Sequence, residues 1–204
     1  DAISDLPPMD ISSFKKENKL SDKEIIALLP GSREQEVKKM LEVMLSVRSY
    51  FKDYQFVIAG APSLPKEFYR DFVDNDVHFV SNKTYDLLRC SKAALVTSGT
   101  ATLETALLKI PEVVCYRGST ISYEIAKRLV KHIKYISLVN LIMDKEVVKE
   151  LIQRDLNTQN LTTELQLILQ GKKRETILEE YEVLRSKLGG VGASDKAAEI
   201  IVSP

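Results

Sequence analysis

The sequence lacks most of the features that would assign it quickly to a catalytic class. Its 204 residues include two cysteines and two histidines, and lysine plus arginine equals aspartate plus glutamate at 29 each. Cys90 and Cys115 lie far apart beside apolar stretches, so we expect free thiols rather than a disulfide. Neither His78 nor His132 has a partner at metal-ligand spacing, which argues against a metal site. The even charge balance gives no reason to expect nucleic acid binding.

Several types of segment are also missing. No apolar run approaches the ~18–20 residues of a membrane-spanning helix, and we find no secretory signal peptide. The start at Asp1 rather than methionine suggests a piece of a longer protein, although a removed tag would leave the same start. There is no G-x-x-x-x-G-K-[ST], G-x-G-x-x-G or G-x-S-x-G motif. P-loop hydrolysis, dinucleotide binding and α/β-hydrolase chemistry are therefore disfavoured.

Short apolar runs alternate with helical patterns along most of the chain. The runs predict six strands, at residues 25–29, 56–59, 77–80, 93–96, 113–116 and 135–138. Helices are predicted at 33–47, 66–73, 85–89, 101–108 and 122–131, then at 146–153, 162–170, 174–188 and 195–202. This order predicts an α/β fold with a doubly wound, mostly parallel, Rossmann-like sheet of about six strands and C-terminal helices. Residues 1–20 are assigned to a linker or arm, and residues 21–204 to one domain.

Two strand-to-helix junctions of small residues carry the functional signal. The first is Leu-Pro-Gly-Ser-Arg at residues 29–33, where Ser32 and Gln35 predict a capping box. The second is Thr-Ser-Gly-Thr-Ala-Thr-Leu-Glu at residues 97–104. A helix start presents unpaired N–H groups and a partial positive charge, and small side chains let an anion approach them. We therefore predict a bound phosphorylated ligand of the nucleotide type, held more by the second junction than by the first.

Two charged residues extend this hypothesis. Arg33 lies in a first helical turn, where a cation opposes the helix dipole, so either a bound phosphate or an ion pair with Glu34 or Glu36 would explain it. Glu104 lies one turn inside the second helix. Either hydrogen bonds to a ribose diol or a favourable interaction with the helix dipole would explain an acid at this position. No close pair of carboxylates stands out as an acid and base, so the residues suit binding better than catalysis.

The assembled segments resemble the lipid-A-disaccharide synthase family, which consists of bacterial glycosyltransferases of the two-domain GT-B type. The resemblance covers most of residues 24–202. It is carried by residues 29–33 with Glu36, then 98–104, 116–117, 126–130, 135–141, 148–153 and 192–199. Both the order and the spacing of these segments match.

The resemblance implies that this chain is the C-terminal, donor-binding half of the enzyme. The full enzyme would transfer 2,3-diacylglucosamine from UDP, with inversion, to a phosphorylated acylglucosamine acceptor at the inner membrane surface. The catalytic base is expected in an N-terminal half, and neither a metal nor a cofactor is implied, because the UDP-sugar is a substrate. The implied UDP-sugar site comprises Gly31, Ser32, Arg33, Ser98, Gly99, Thr100, Ala101, Thr102, Glu104, Asn140, Glu150 and Gln153.

Other functions stay open from the sequence. One is another GT-B enzyme, either a UDP-N-acetylglucosamine 2-epimerase or a peptidoglycan N-acetylglucosaminyltransferase, and another is a non-catalytic nucleotide-binding or assembly module. A homodimer is also compatible with the late helices. Four basic residues, Lys127, Arg128, Lys131 and Lys134, form either a solvated helix face or a contact with anionic lipid. The expected location is the bacterial cytoplasm, at the periphery of the inner membrane.

Overall fold

A parallel six-stranded sheet organises the protein. The computed structural model describes Ile3, residues 6–118 and residues 134–189. The strands are β1 (Glu24–Leu29), β2 (Tyr54–Gly60), β3 (Val77–Ser81), β4 (Ser91–Thr97), β5 (Glu112–Tyr116) and β6 (Lys149–Ile152). They pair in the order β3-β2-β1-β4-β5-β6, and all the pairs are parallel. The prediction of a doubly wound, Rossmann-like sheet is confirmed.

Helices connect and cover these strands. They are α1 (Ile11–Glu17), α2 (Glu34–Leu45), α3 (Thr84–Arg89), α4 (Thr100–Leu107), α5 (Leu138–Met143), α6 (Thr158–Leu169) and α7 (Lys172–Lys187). Two 3-10 helices, Arg48–Tyr50 and Lys66–Phe72, complete the connections, the second of them in place of the helix predicted at 66–73. None of the helices formed by the described residues has the length and apolar character needed to cross a membrane.

The two faces of the sheet bury separate apolar clusters because alternate strand residues point to opposite sides. On β1, Ile26 and Leu28 join a cluster with side chains of α2, α6 and α7. Ile25, Ala27 and Leu29 join the other cluster, which α1 and α3 cover. Burial on both faces explains why the strands are continuous apolar runs rather than alternating ones.

Helix α1 was not predicted. It lies within the segment assigned to an arm, and the one residue of this helix that becomes buried is Phe14. Asp10 caps the helix by accepting hydrogen bonds from Ser12 N at 3.0 Å and Ser13 Oγ at 2.6 Å. A seven-residue helix carries too little periodicity for its apolar face to be recognised. Whether residues 1–20 lead to another domain stays a prediction.

The two elements after residue 134 differ from the prediction. The strand predicted at 135–138 is wrong, because helix α5 begins at Leu138 and Ser137 is its N-cap. The helix predicted at 146–153 is also wrong, because residues 149–152 form β6 and pair with β5. The two errors exchange a helix for a strand, so the described residues nevertheless form six strands, as many as were predicted. The helices predicted at 122–131 and 195–202 lie outside the described residues.

The cysteines agree with the prediction. Cys90 and Cys115 are both free, Cys115 is fully buried, and burial raises the pKa of the Cys90 thiol to about 11. No group of three or more His, Cys, Asp or Glu side chains within the described ranges is placed to hold a metal ion.

Candidate functional site

The two small-residue junctions lie side by side at the centre of the sheet. Strands β1 and β4 are neighbours, with Leu29 paired to Val96, so both junctions leave the same carboxyl edge. Strand order reverses here, because the chain proceeds from β1 toward β2 and β3 on one side and from β4 toward β5 and β6 on the other. Open α/β sheets bind ligands in the crevice at this switch point.

A cleft of about 790 Å³ occupies this position. This volume is within the range of small-ligand sites. Its walls come from the two junctions, the loops after β2 and β3, and two residues that precede α1. The lining residues are Leu6, Pro7, Leu29, Gly31, Ser32, Glu36, Ala59, Gly60, Ala61, Pro62, Asn82, Lys83, Thr84, Tyr85, Asp86, Thr97, Ser98, Gly99, Thr100, Ala101 and Glu104.

The first junction forms a wall of this cleft. Gly31 has a φ of +103°, and a Cβ placed on it would lie 2.9 Å from Glu36 Oε2, so a side chain there would meet both strain and a clash. Ser32 O accepts a hydrogen bond from Ser63 Oγ at 2.9 Å, which ties this turn to the loop after β2. Glu36 turns its carboxyl group into the cleft beside Gly31.

Arg33 stays outside this wall. It is the N-cap of α2, its side chain is exposed, and it does not line the cleft. None of the ion pairs among the described residues involves Arg33, so it pairs with neither Glu34 nor Glu36. The predicted capping box is wrong, because no side chain caps α2 and Ser32 lies one residue before the N-cap.

The second junction places the start of α4 in the cleft. Gly99 is the N-cap, and no side chain in the described part of the chain caps the free N–H groups of the first turn. A Cβ on Gly99 would meet nothing within 4 Å, so the approach to these groups is open. Thr102 is buried, and its Oγ1 donates to Gly99 O at 2.8 Å. The first turn therefore offers backbone donors and little side-chain bulk, as anion binding requires.

Glu104 and Tyr85 face the cleft together. Both line it, Glu104 from α4 and Tyr85 from the first turn of α3. Burial raises the pKa of the Tyr85 hydroxyl, and the negative charge of the nearby Glu104 carboxylate raises it further. Tyr85 was not among the predicted residues, although the loop after β3 ends at the same edge as both junctions. That shared edge was the signal available in the sequence.

Negative side chains predominate on the cleft lining. Among the described residues that line the cleft, Glu36, Asp86 and Glu104 are carboxylates and Lys83 is the one basic side chain. The ammonium group of Lys83 is already engaged, at 3.1 Å from Glu17 Oε2 and 5.8 Å from the centre of the Phe14 ring. Within this described lining, the exposed start of α4 is thus the principal positive feature.

Asn140 and Glu150 do not line the cleft. Asn140 is fully buried, accepts hydrogen bonds from Val147 N and Val148 N, and donates to Val148 O and Glu150 Oε1. Glu150 also accepts from Ile136 N, Ser137 N and Ser137 Oγ, at 2.8–2.9 Å. Both side chains are therefore engaged within the protein.

This network nevertheless reaches the second junction. Ser98 Oγ donates to Ile136 O at 2.9 Å, and Ile136 N donates to Glu150. Asn140 and Glu150 thus fix the turn on which Ser98 rests. Gln153 directly follows β6 with a φ of +54°, and its Nε2 is buried without a partner among the described residues. It does not line the cleft.

The basic face predicted at residues 127–134 is described only at Lys134, which is exposed. Its other members, and the matching segments at 126–130 and 192–199, lie outside the described residues.

Comparisons with known proteins agree with this geometry. The chain is 40% identical over 182 residues to a lipid-A-disaccharide synthase from Syntrophus aciditrophicus, a match that covers 85% of this chain and 47% of that protein. The chain therefore spans about half the length of the curated relatives that it matches.

Solved structures with low sequence identity share the fold. HepE from Anabaena in complex with UDP and glucose has a TM-score of 0.61 at 14% identity, with 98% of this chain and 53% of that chain covered. The C-terminal CMP-Kdo binding domain of WaaA from Acinetobacter baumannii has a TM-score of 0.51 at 12% identity, with 88% and 96% covered. The family model for lipid-A-disaccharide synthetase matches residues 2–202, so the chain belongs to the lipid-A-disaccharide synthetase family.

Proposed function

We propose that this chain is the donor-binding half of a lipid-A-disaccharide synthase, and that the switch-point cleft holds the UDP portion of a UDP-diacylglucosamine. The observation that carries the proposal is the uncapped start of α4 opening into a cleft between β1 and β4. Family membership supports the choice of this enzyme over an epimerase, a peptidoglycan transferase or a non-catalytic module. The UDP complex of HepE and the CMP-Kdo binding domain of WaaA support a nucleotide-sugar ligand for this fold.

The distribution of charge decides how the ligand would lie. The diphosphate would sit at the backbone N–H groups of Gly99, Thr100 and Ala101, since the start of α4 carries the positive end of the helix dipole. Glu104, one turn further along α4, would accept hydrogen bonds from the ribose hydroxyls, and Tyr85 beside it would fix the direction of its carboxylate. Arg33 would approach the diphosphate from the mouth of the cleft.

The chemical contribution of this half is then stabilisation of the leaving group. As the bond from the sugar to UDP breaks, negative charge grows on the diphosphate, and fixed N–H donors already aimed at that position stabilise it. Asn140 and Glu150 would act through the turn at residues 136–137, which holds Ser98. Gln153 remains a candidate ligand contact on the basis of its unpartnered Nε2.

The proposal for the whole enzyme also includes an acceptor substrate and a catalytic base. The base that activates the acceptor hydroxyl would come from an N-terminal half, and transfer would take place at the surface of the inner membrane. We accordingly expect the 204-residue chain to bind UDP without producing disaccharide. Disaccharide formed by this chain alone would contradict that division of labour.

Calorimetric titration tests the donor site. UDP should bind the chain, and Glu104→Gln should weaken binding about tenfold by removing a charged acceptor. Glu42→Gln is the matched control, because Glu42 is an exposed acid on α2 outside the cleft. Absence of UDP binding, or equal losses from the two substitutions, would overturn the proposal. Competition between UDP-diacylglucosamine and UDP-N-acetylglucosamine then separates the lipid A enzyme from the other nucleotide-sugar enzymes.

A further inference from the structure

Thr97 is a buried hydroxyl residue in the cleft that the donor site described so far does not use. It is the last residue of β4, lies directly before Ser98, and is 5% exposed. Its Oγ1 has no hydrogen-bond partner among the described residues. A buried hydroxyl without a partner is destabilising, so a position of this kind calls for an explanation.

The position of Thr97 within the cleft explains why its hydroxyl has no partner in the protein. Leu95 and Ala93, two and four residues earlier on β4, pack in the cluster on the α2 face of the sheet, so the alternation of a strand puts the Thr97 side chain on that face. Both Thr97 and the first turn of α4 line the cleft. The two residues that follow it differ from Thr97, since Ser98 Oγ is bonded to Ile136 O and Gly99 has no side chain.

The neighbouring donors define what this hydroxyl can bind. The start of α4 has backbone N–H groups without a side-chain cap, which favour an anion. A threonine hydroxyl is both donor and acceptor, so beside those groups it can donate to the same anion. Carboxylates occupy other parts of the lining, at Glu36, Asp86 and Glu104, and would repel a phosphate placed against them.

We propose that Thr97 is a ligand-binding residue whose hydroxyl donates a hydrogen bond to a phosphate oxygen of the nucleoside diphosphate at the start of α4. This inference rests on the proposed function, because it assigns one further contact of the same ligand. The Thr97 contact would also affect stability and affinity in opposite directions. Among the described residues the Thr97 hydroxyl has no partner in the free protein, and it gains one in the complex, so we expect Thr97 to reduce stability and to increase affinity.

The test substitutes Thr97 in the 204-residue chain in two ways. Thr97→Val keeps the side-chain shape and removes the hydroxyl, whereas Thr97→Ser keeps the hydroxyl. We expect Thr97→Val to raise the Tm of the free protein by about 2–4 °C and to weaken UDP binding at least about tenfold. Thr97→Ser should keep UDP affinity within about threefold of the original.

Two comparisons isolate the contact. Thr105→Val is the control for the stability measurement, because Thr105 is buried but its Oγ1 already donates to Ala101 O at 2.7 Å. That substitution should lower the Tm, opposite in sign to Thr97→Val. Uridine, which has no phosphate, is the second ligand, and its affinity measured by NMR should be the same for Thr97→Val and the original chain.

The outcomes distinguish a failure of the proposed function from a failure of the Thr97 contact. If the original chain does not bind UDP, the proposed function fails and this contact fails with it. If UDP binds the original chain and Thr97→Val equally well, the donor site stands and the Thr97 contact is overturned. An equal loss of affinity for UDP and uridine would also overturn it, since the hydroxyl would then not act on the phosphates.

Discussion

The two strand-to-helix junctions look alike in sequence but are built differently. The junction after β4 opens an uncapped helix into the cleft and rests on a buried network that runs from Ser98 through Ile136 to Glu150 and Asn140. The junction after β1 forms a wall, with Gly31 held against Glu36 and with Arg33 exposed to solvent. Small residues beside a helix start are thus insufficient for a binding site. The difference lies in whether the helix start faces the cleft and what fixes it there.

Asn140→Ala should have the largest effect and should act on the β4 junction. It removes the acceptor of Val147 N and Val148 N and a donor to Glu150, all of them part of a buried network. We expect a loss of about 3–5 kcal/mol in the free energy of unfolding, because several buried polar groups lose partners together. Urea denaturation measures this loss. Asn160→Ala is the control, since the Asn160 side chain bonds Asp155 O in an exposed region, and a comparable loss there would contradict the expectation.

Gly31→Ala tests how much the β1 junction contributes to stability. The new Cβ would lie 2.9 Å from Glu36 Oε2 at a φ of +103°. The positive φ alone costs roughly 1–2 kcal/mol, which should lower the Tm by several degrees in thermal denaturation. The double variant Gly31→Ala with Glu36→Ala removes the clash and should recover part of the loss. If the two single losses simply add, the contact between Gly31 and Glu36 does not shape this wall.

Ser98→Ala should have a smaller effect that sharpens the contrast between the junctions. The substitution removes the bond to Ile136 O and leaves the backbone of α4 unchanged. A single hydrogen bond of this kind contributes about 1 kcal/mol to stability. UDP affinity should fall only a few-fold, because Ser98 would support the site rather than bind the ligand with its side chain. Ser63→Ala, which removes the equivalent tie at Ser32 O, is the matched substitution in the other junction.

Arg33→Ala should have the smallest effect. Arg33 is solvent-exposed and does not line the cleft, so salt would screen its attraction for a diphosphate. Calorimetry should show that Arg33→Ala reduces UDP affinity about threefold at low ionic strength and leaves it nearly unchanged at about 0.5 M salt. A loss of this size is typical of an exposed surface charge. Lys38→Ala, another exposed cation on α2, provides the comparison. Equal UDP affinity for Arg33→Ala and the original chain at low salt would remove Arg33 from the donor site.

Most of the sheet was predictable because β1 to β5 are buried on both faces. A buried parallel strand is a compact apolar run ended by a turn, and Ile25–Leu29 and Ala93–Val96 are of this kind. The place of the binding cleft followed from the same pattern, since parallel strands share one carboxyl edge. The individual contacts within the cleft did not follow, because Tyr85 reaches it from a position that no local motif marks, and the junction motif does not indicate that the Thr97 side chain is buried there.

The sequence by itself determined the parallel fold, the two helix starts and the family. Only the tertiary structure decided the order of elements after residue 134. Residues 146–153 are rich in helix-forming types, yet residues 149–152 became β6 because the edge of β5 offered unpaired backbone groups along Val113–Tyr116. Residues 135–138 are apolar and strand-like, yet Ser137 is the N-cap of α5 and Leu138 its first residue, because the Glu150 carboxylate accepts hydrogen bonds from Ile136 N and Ser137 N. Local propensity is worth tenths of a kcal/mol per residue, and such non-local bonds outweigh it.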